Sequence, residues 1–216
     1  MTAVIAAAGS GERLGAGDPK AFVPLGGRPM IAWSLDACLG CEAVVGVVVA
    51  VPGGHEHGLD GLERVVTVDG GSTRAESVAN ALAAVATEYV AIHDAARPLL
   101  TPELLSDLVA VLAADPDADG AIAAAPVTDT VKKVDGNRIS VTLDRSELWG
   151  AQTPQVFRTA ALRRALKGAD NVTDEAMLIE AAGGTVLLHD PGAPNLKVTT
   201  PLDLRVAELL LADRGL

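Results

Sequence analysis

At 216 residues the chain can bury one sizeable core but is short for two full domains. Its 28 acidic against 17 basic side chains give a formal charge of −11, and one Tyr, two Phe and two Trp offer few platforms for base stacking, which argues against a nucleic-acid or anionic-membrane binder. The apolar share of 49% and mean hydropathy of +0.31 come without the run of about 20 apolar residues that a membrane-spanning helix needs.

Residues 3–8 read as a first strand: no basic flank precedes them and a Gly-rich turn follows, unlike a secretory leader, so the expected compartment is the cytoplasm. Residues 29–39 have a helical period, with Ile31, Leu35 and Cys38 on one face. Cys38 and Cys41 have no second Cys pair, and His55, His57, His93 and His189 stand at no zinc-ligand spacing; the two thiols read as small apolar residues at a helix end. Val-rich runs at 44–51 and 64–68 are expected strands. A helix over 73–86 follows, with Val78, Leu82 and Val85 inward and Thr73 capping it with Glu76 three residues on. Residues 89–93 form the next strand, with His93 packed rather than catalytic, and 102–112 the next helix, opened by Thr101 and Pro102.

After a strand at 121–125 the pattern changes. The turn Asp135-Gly136-Asn137 sits between two short runs, and an irregular stretch with Trp149 and Pro154 follows, so residues 131–158 are expected to leave the main body as a hairpin arm. Helices at 160–166 and 174–182, a strand at 185–189 and a helix over 202–211, opened by Thr200, Pro201 and Asp203, complete the chain. Alternating strands and helices predict one α/β domain over 1–216: a Rossmann-like, mostly parallel sheet with helices on both faces. In such sheets ligands bind beyond the carboxyl ends of the strands.

The first such turn is Ala7-Ala8-Gly9-Ser10-Gly11-Glu12-Arg13-Leu14, with Asp18-Pro19-Lys20 shortly after. Glycines let backbone N–H groups approach phosphate oxygens. Leu14 at the third Gly position and the lack of an acidic residue closing 44–51 count against a dinucleotide-dependent oxidoreductase, and no Gly-Lys-Ser/Thr makes a Walker loop. A glycine turn with two cations, Arg13 and Lys20, suits phosphoryl or nucleotidyl transfer, where charge builds on phosphate oxygens. On the glycines alone, a plain surface turn or a non-catalytic nucleotide-binding module fits as well.

Together with Pro19-Lys20, that turn resembles the signature of nucleotidyltransferases. Further blocks narrow the resemblance: 69–78 (Asp-Gly-Gly-Ser-Thr-Arg-Ala-Glu-Ser-Val), 93–98 (His-Asp-Ala-Ala-Arg-Pro), 126–132 (Pro-Val-Thr-Asp-Thr-Val-Lys), Asp144-Arg145, Gln152-Thr153-Pro154-Gln155, Thr173-Asp174-Glu175-Ala176 and 195–199 (Asn-Leu-Lys-Val-Thr). Across essentially the whole chain they are similar to the 2-C-methyl-D-erythritol 4-phosphate cytidylyltransferases of the non-mevalonate isoprenoid pathway. The resemblance implies CMP transfer from CTP to that acceptor, with Mg2+ or another divalent cation accompanying CTP; a ribitol-5-phosphate cytidylyltransferase is the close alternative.

It implies that Ala7, Ala8, Gly9, Ser10 and Gly11 wrap the triphosphate, Arg13 and Lys20 neutralise the α-phosphate, and Ala7, Gly71, Ser72 and Ser77 read the cytosine edge. Asp94 would hold the metal or a hydroxyl of the sugar or acceptor. Arg97, Thr142, Thr173, Lys197 and Thr199 would bind the acceptor, Thr173 reading equally as a helix cap. Where some relatives carry an Arg after the Thr-Pro-Gln block, this chain has Thr159, with Arg158 one residue earlier. The resemblance also implies a homodimer, with the arm clasping a second subunit and contributing to its acceptor site.

Overall fold

Strands whose middles are almost wholly Val, Ile and Ala are stable only where both faces of a sheet are covered. The computed structural model, which describes residues 1–9, 19–54, 57–167 and 174–215, buries them in this way. In chain order its elements are β1 (Thr2–Ala6), β2 (Pro24–Leu25), β3 (Arg28–Pro29), α1 (Met30–Gly40), β4 (Gly46–Val51), β5 (Val65–Asp69), α2 (Arg74–Leu82), β6 (Tyr89–Asp94) and α3 (Pro102–Ala114). There follow β7 (Gly120–Pro126), β8 (Lys132–Asp135), β9 (Arg138–Thr142), β10 (Trp149–Arg158), α4 (Thr159–Leu166), α5 (Glu175–Ala181), β11 (Val186–His189) and α6 (Pro201–Asp213).

The central sheet has the order β11-β7-β10-β6-β1-β4-β5, parallel throughout except for β10. Alternation along β1 sends Ala3 and Ile5 into a core with α1 and α3, where Ile31, Leu35, Leu105 and Leu108 meet them. Val4 faces the opposite core, with Val78 and Leu82 of α2, Leu162 of α4 and Ile179 of α5. A smaller cluster joins α6 to Leu25, Met30 and Trp33. No helix among the described residues is long and apolar enough to cross a membrane.

Register places the ends of three strands side by side: Ala6 lies opposite both Ala50 of β4 and Asp94 of β6. From β1 the chain runs outward to β4 and β5, then returns to β6 on the other side, so a crevice opens where the order reverses.

The expected caps are present. The hydroxyls of Thr73, Thr101 and Thr200 accept from the N–H groups of Glu76, Leu104 and Asp203, at 3.1, 3.3 and 3.2 Å. Cys38 and Cys41 are both buried in the α1 core, and burial, reinforced by Cys41, pushes the Cys38 thiol up to about 12. The helix expected over 73–86 ends earlier, at Leu82. Asp174 caps α5, accepting from Met177 N–H at 3.0 Å; Thr173 lies outside the described residues. The β2–β3 hairpin, turned by Gly26 and Gly27 at φ of 59° and 79°, was not anticipated.

The arm begins before residue 131 and ends well before 158. The chain leaves the sheet at Val127 and rejoins it at Leu148, joined by a hydrogen bond from Val127 N–H to Leu148 O of 3.1 Å, and β10 belongs to the central sheet. Pro154 obscured this strand, because Pro removes a ladder donor and is normally confined to edges. Here it falls within the break between Ala151 and Gln155, where the β10–β7 register shifts.

Candidate active site

Three turns at the carboxyl edge build the cleft. Beyond β1, Ala7 N–H still reaches Ala50 O at 2.9 Å before the chain turns through Ala8 and Gly9. Gly9 O then accepts from Lys20 N–H at 3.2 Å, so Lys20 comes back beside the turn it follows in sequence. Ser10, Gly11 and Arg13 lie outside the described residues.

Beyond β5, Gly70 N–H bonds Val51 O at 2.8 Å, bringing the second turn against the first. The approach is so close that a Cβ on Gly70 would lie 2.3 Å from the Cβ of Ala8. Ser77 is buried, not the helix-surface hydroxyl it could have been: it donates to Thr73 O at 2.9 Å and accepts from Gly71 N–H at 3.0 Å. Glu76 Oε2 accepts from the hydroxyl and the N–H of Ser72, at 2.6 and 2.7 Å, and these bonds hold its carboxyl below the usual range. The N-terminus of α2 therefore faces the cleft, where helix polarity favours an anion.

At the end of β6 stands Asp94. Its Oδ1 accepts from Arg74 Nε at 3.1 Å and its Oδ2 from Lys197 Nζ at 2.6 Å. Burial acts to raise the Asp94 pKa, but Arg74 and Lys197 outweigh it and hold the carboxyl well below the usual carboxylate range. On its far side, Arg74 Nη1 lies 2.5 and 2.6 Å from the two carboxylate oxygens of Glu175. Burial pushes Glu175 up while Arg74 pulls it back; Arg74, despite its own burial, is kept charged by both carboxylates.

The backbone under Asp94 is fixed as well. Asp94 N–H donates to Thr153 Oγ1 at 3.0 Å, which leaves the Thr153 hydroxyl proton for His93 Nδ1 at 3.2 Å. His93 Nε2 therefore carries the ring proton and donates to Arg97 O at 3.1 Å. Burial, aided by Arg97 and Arg74 against the pull of Asp94, lowers His93 to about 4, so the ring is neutral and part of the scaffold. Asn195 Nδ2 donates to Thr153 O at 2.8 Å, and Val198 N–H to Ala96 O at 2.8 Å, drawing residues 195–199 to the cleft.

The cleft is about 680 Å3. It brings together the predicted Ala7, Ala8, Gly9, Lys20, Gly71, Ser72, Ser77, Asp94, Lys197 and Thr199. Its described lining residues include the cations Lys20, Arg74 and Lys197 and one carboxylate, Asp94, with Glu175 on the far side of Arg74, so positive groups gather in the cleft although the chain as a whole is acidic. The Thr199 hydroxyl donates to Asp203 Oδ2 at 2.6 Å, leaving only its lone pairs for a ligand.

Other expected residues are elsewhere. Arg97 turns its Nη1 to Asn195 O at 2.7 Å and is not among the lining residues. Thr142 lies exposed on the arm, accepting from Lys132 Nζ at 2.7 Å. Arg158 and Thr159 are not brought to this cleft. Arg158 pairs with Tyr89 at the amino end of β6, the opposite edge from Asp94, and its Nε donates to Ala118 O at 2.9 Å. Thr159 is buried there, its N–H bonded to Glu88 O at 2.8 Å. Sequence reasoning missed Arg74, Glu175 and Thr153. Arg74 lies in the 69–78 segment directly after the Thr73 cap, where a cation at the positive end of a helix is a local mismatch that could have marked it. Glu175 at the first position of a helix reads as ordinary dipole complement.

Fold and cleft define an α/β protein with a cation-lined cleft at a topological switch point, the place where such sheets bind ligands such as nucleotides. The family model described as 2-C-methyl-D-erythritol 4-phosphate cytidylyltransferase matches residues 1–213. The enzyme of that name from Azoarcus sp. (strain BH72) is 45% identical to this chain, covering 98% of it and 94% of its own length. That from Parasynechococcus marenigrum (strain WH8102) is 46% identical, covering 99% of each. The crystal structure of the enzyme from Thermus thermophilus matches at a TM-score of 0.81 with 35% identity, over 97% of this chain and 98% of that one. The chain belongs to this family and is a cytidylyltransferase.

The neutral His93 carries a pH signature. The unfolded ring protonates near 6.5 and the folded one near 4, so its contribution is complete above about pH 6.5 and is lost as pH falls toward 4. The full contribution is up to about 3 kcal/mol. Urea unfolding at pH 7.5 and 4.5 should therefore show a shallower pH dependence for His93→Gln than for the parent; equal dependences would contradict a neutral buried ring.

Proposed function

We propose that this cleft transfers CMP from CTP to 2-C-methyl-D-erythritol 4-phosphate and releases pyrophosphate. Beyond family membership, the observation that carries this is the convergence of Lys20, Arg74, Lys197 and the N-terminus of α2 on one cleft at the switch point. A phosphate oxygen of the acceptor, already ionised at neutral pH, attacks the α-phosphorus in line. A new P–O bond forms, the bond from the α-phosphorus to the bridging oxygen breaks, and pyrophosphate leaves with the electron pair. No general base is required, and catalysis reduces to positioning and charge.

In this scheme the turn through Ala7, Ala8 and Gly9 takes the nucleotide and its phosphates, together with Ser10, Gly11 and Arg13 on the resemblance alone. Gly71 and Ser72, whose N–H groups are taken by Ser77 and Glu76, offer their backbone carbonyls to the base edge. Lys20 neutralises charge at the α-phosphate. Lys197 takes the acceptor phosphate, while Asp94 and the lone pairs of the Thr199 hydroxyl, whose proton goes to Asp203, accept from acceptor hydroxyls.

A divalent cation fits the donor set in one respect: Asp94 is the one carboxylate among the described lining residues, and Mg2+ on a nucleotide is commonly held by one or two carboxylates plus phosphate oxygens. Bound there, it would supply charge neutralisation on the phosphates.

The arm supports a homodimer. Val134 and Ile139 form a cross-strand pair that is 56% and 64% exposed, on a two-stranded ribbon that is marginal without a partner. Thr142 would then meet the partner's cleft. Buried, unpaired Cys38 and Cys41 accord with a reducing cytoplasm.

Pyrophosphate release should require CTP and 2-C-methyl-D-erythritol 4-phosphate, with ribitol 5-phosphate and the other nucleoside triphosphates far poorer. Lys20→Ala should lower kcat at least about a hundredfold, as loss of one preorganised contact does. An absence of pyrophosphate release with either acceptor, or an undiminished Lys20→Ala, would contradict the scheme. Light scattering should give twice the 22.0 kDa chain mass, and a monomer would remove the dimer.

A further inference from the structure

The cleft's Asp94 is held by two cations of different kinds. Arg74 presents a planar guanidinium, so fixing one of its nitrogens fixes the direction of the others, whereas the Lys197 ammonium is a point charge on a flexible stem. The Lys197 side chain is 42% exposed, and its bond to Oδ2 is open to exchange with a ligand oxygen. Arg74 is not free to exchange in this way, because Glu175 grips its Nη1 with both carboxylate oxygens.

Glu175 is 1% exposed and does not line the cleft. Its position is set from beneath: Gln155 of β10 accepts from Ala176 N–H at 3.3 Å and donates to Asp174 Oδ2 at 3.4 Å, tying the start of α5 to the sheet. One guanidinium thus spans the first residue of α5 and the last residue of β6 from the first residue of α2. A buried ion pair contributes little net stability compared with apolar packing, so the consequence of a carboxylate here lies in the orientation it imposes. With Glu175 removed, Arg74 would have one carboxylate partner and spare donors, free to turn toward the phosphates or to withdraw from Oδ1.

We propose that Glu175 is a positioning residue for the transfer: by clamping Arg74 it fixes Asp94 Oδ1 and so sets where the acceptor lies. This rests on the cleft being the site of CMP transfer. Glu175 holds only the guanidinium of Arg74, whereas the β5 nucleotide turn is held by Ser77 and Glu76 and the β1 turn by Ala50, so the larger effect falls on the acceptor and on turnover rather than on CTP.

Steady-state kinetics of the full-length E175A and E175Q proteins test this, alongside thermal melts and 15N NMR of the Arg74 Nε–H. E175A should raise the acceptor KM at least tenfold and lower kcat, with the CTP KM within twofold of the parent, and its Arg74 Nε–H should exchange rapidly with water. E175Q keeps an acceptor oxygen for Arg74 and should recover to within about fivefold of the parent. Should E175A fail to fold, R74K takes its place, since lysine cannot bridge both carboxylates, and the same acceptor-selective loss is expected. Kinetic constants within twofold of the parent and an unchanged Nε–H in a folded E175A overturn the proposal, as does an equal rise in the KM of both substrates. If the parent itself transfers CMP to no acceptor, the functional reading falls, while the Nε–H signal still decides whether Glu175 clamps Arg74.

Discussion

Asp94 between Arg74 and Lys197 is the interaction on which the site depends. Those bonds span 20 and 103 positions of sequence and join the end of β6 to the start of α2 and to the segment before α6. A carboxylate this buried would be expelled or protonated without them, and with them it stays ionised. Beneath it, the relay from Asp94 N–H through Thr153 to His93 and Arg97 O fixes the backbone that carries it. The cleft is assembled by tertiary bonds rather than by any one loop.

The same charges reconcile an acidic protein with an anionic ligand. A formal charge of −11 repels long polyanions, but salt screens that field over about 8 Å. Inside the cleft, Lys20, Arg74, Lys197 and the end of α2 act over shorter distances and in a poorer dielectric, where each charge counts for more. Such a cleft suits a small polyphosphate better than a long nucleic acid.

Much of the fold was legible because the residues involved obey local rules. The runs at 44–51 and 89–93 are apolar on both faces, and Thr73, Thr101 and Thr200 cap as their spacing predicts. β10 was not legible: Pro154 and the polar Gln152 and Thr153 read as a loop, and only the broken ladder with β7 accommodates them in a central strand. In the site, the glycine turn and Lys20 could be seen because their residue types suit phosphate chemistry, whereas Asp94 and Lys197 were marked only by the family resemblance. Glu175, Thr153 and the packing of Gly70 on Ala8 act across the fold, and spacing along the chain carries no trace of them. Arg158 shows the converse: a suitable side chain whose strand carries it to the opposite edge of the sheet.

The most direct measurement is CMP transfer by Asp94→Asn at saturating CTP, with a melt to show that the protein remains folded. Removing the charge while keeping the shape frees Lys197 and loosens Arg74, and turnover should drop about a hundredfold, in the range for loss of one preorganised electrostatic contact. A folded Asp94→Asn protein that turns over within twofold of the parent would contradict a site organised around this carboxylate.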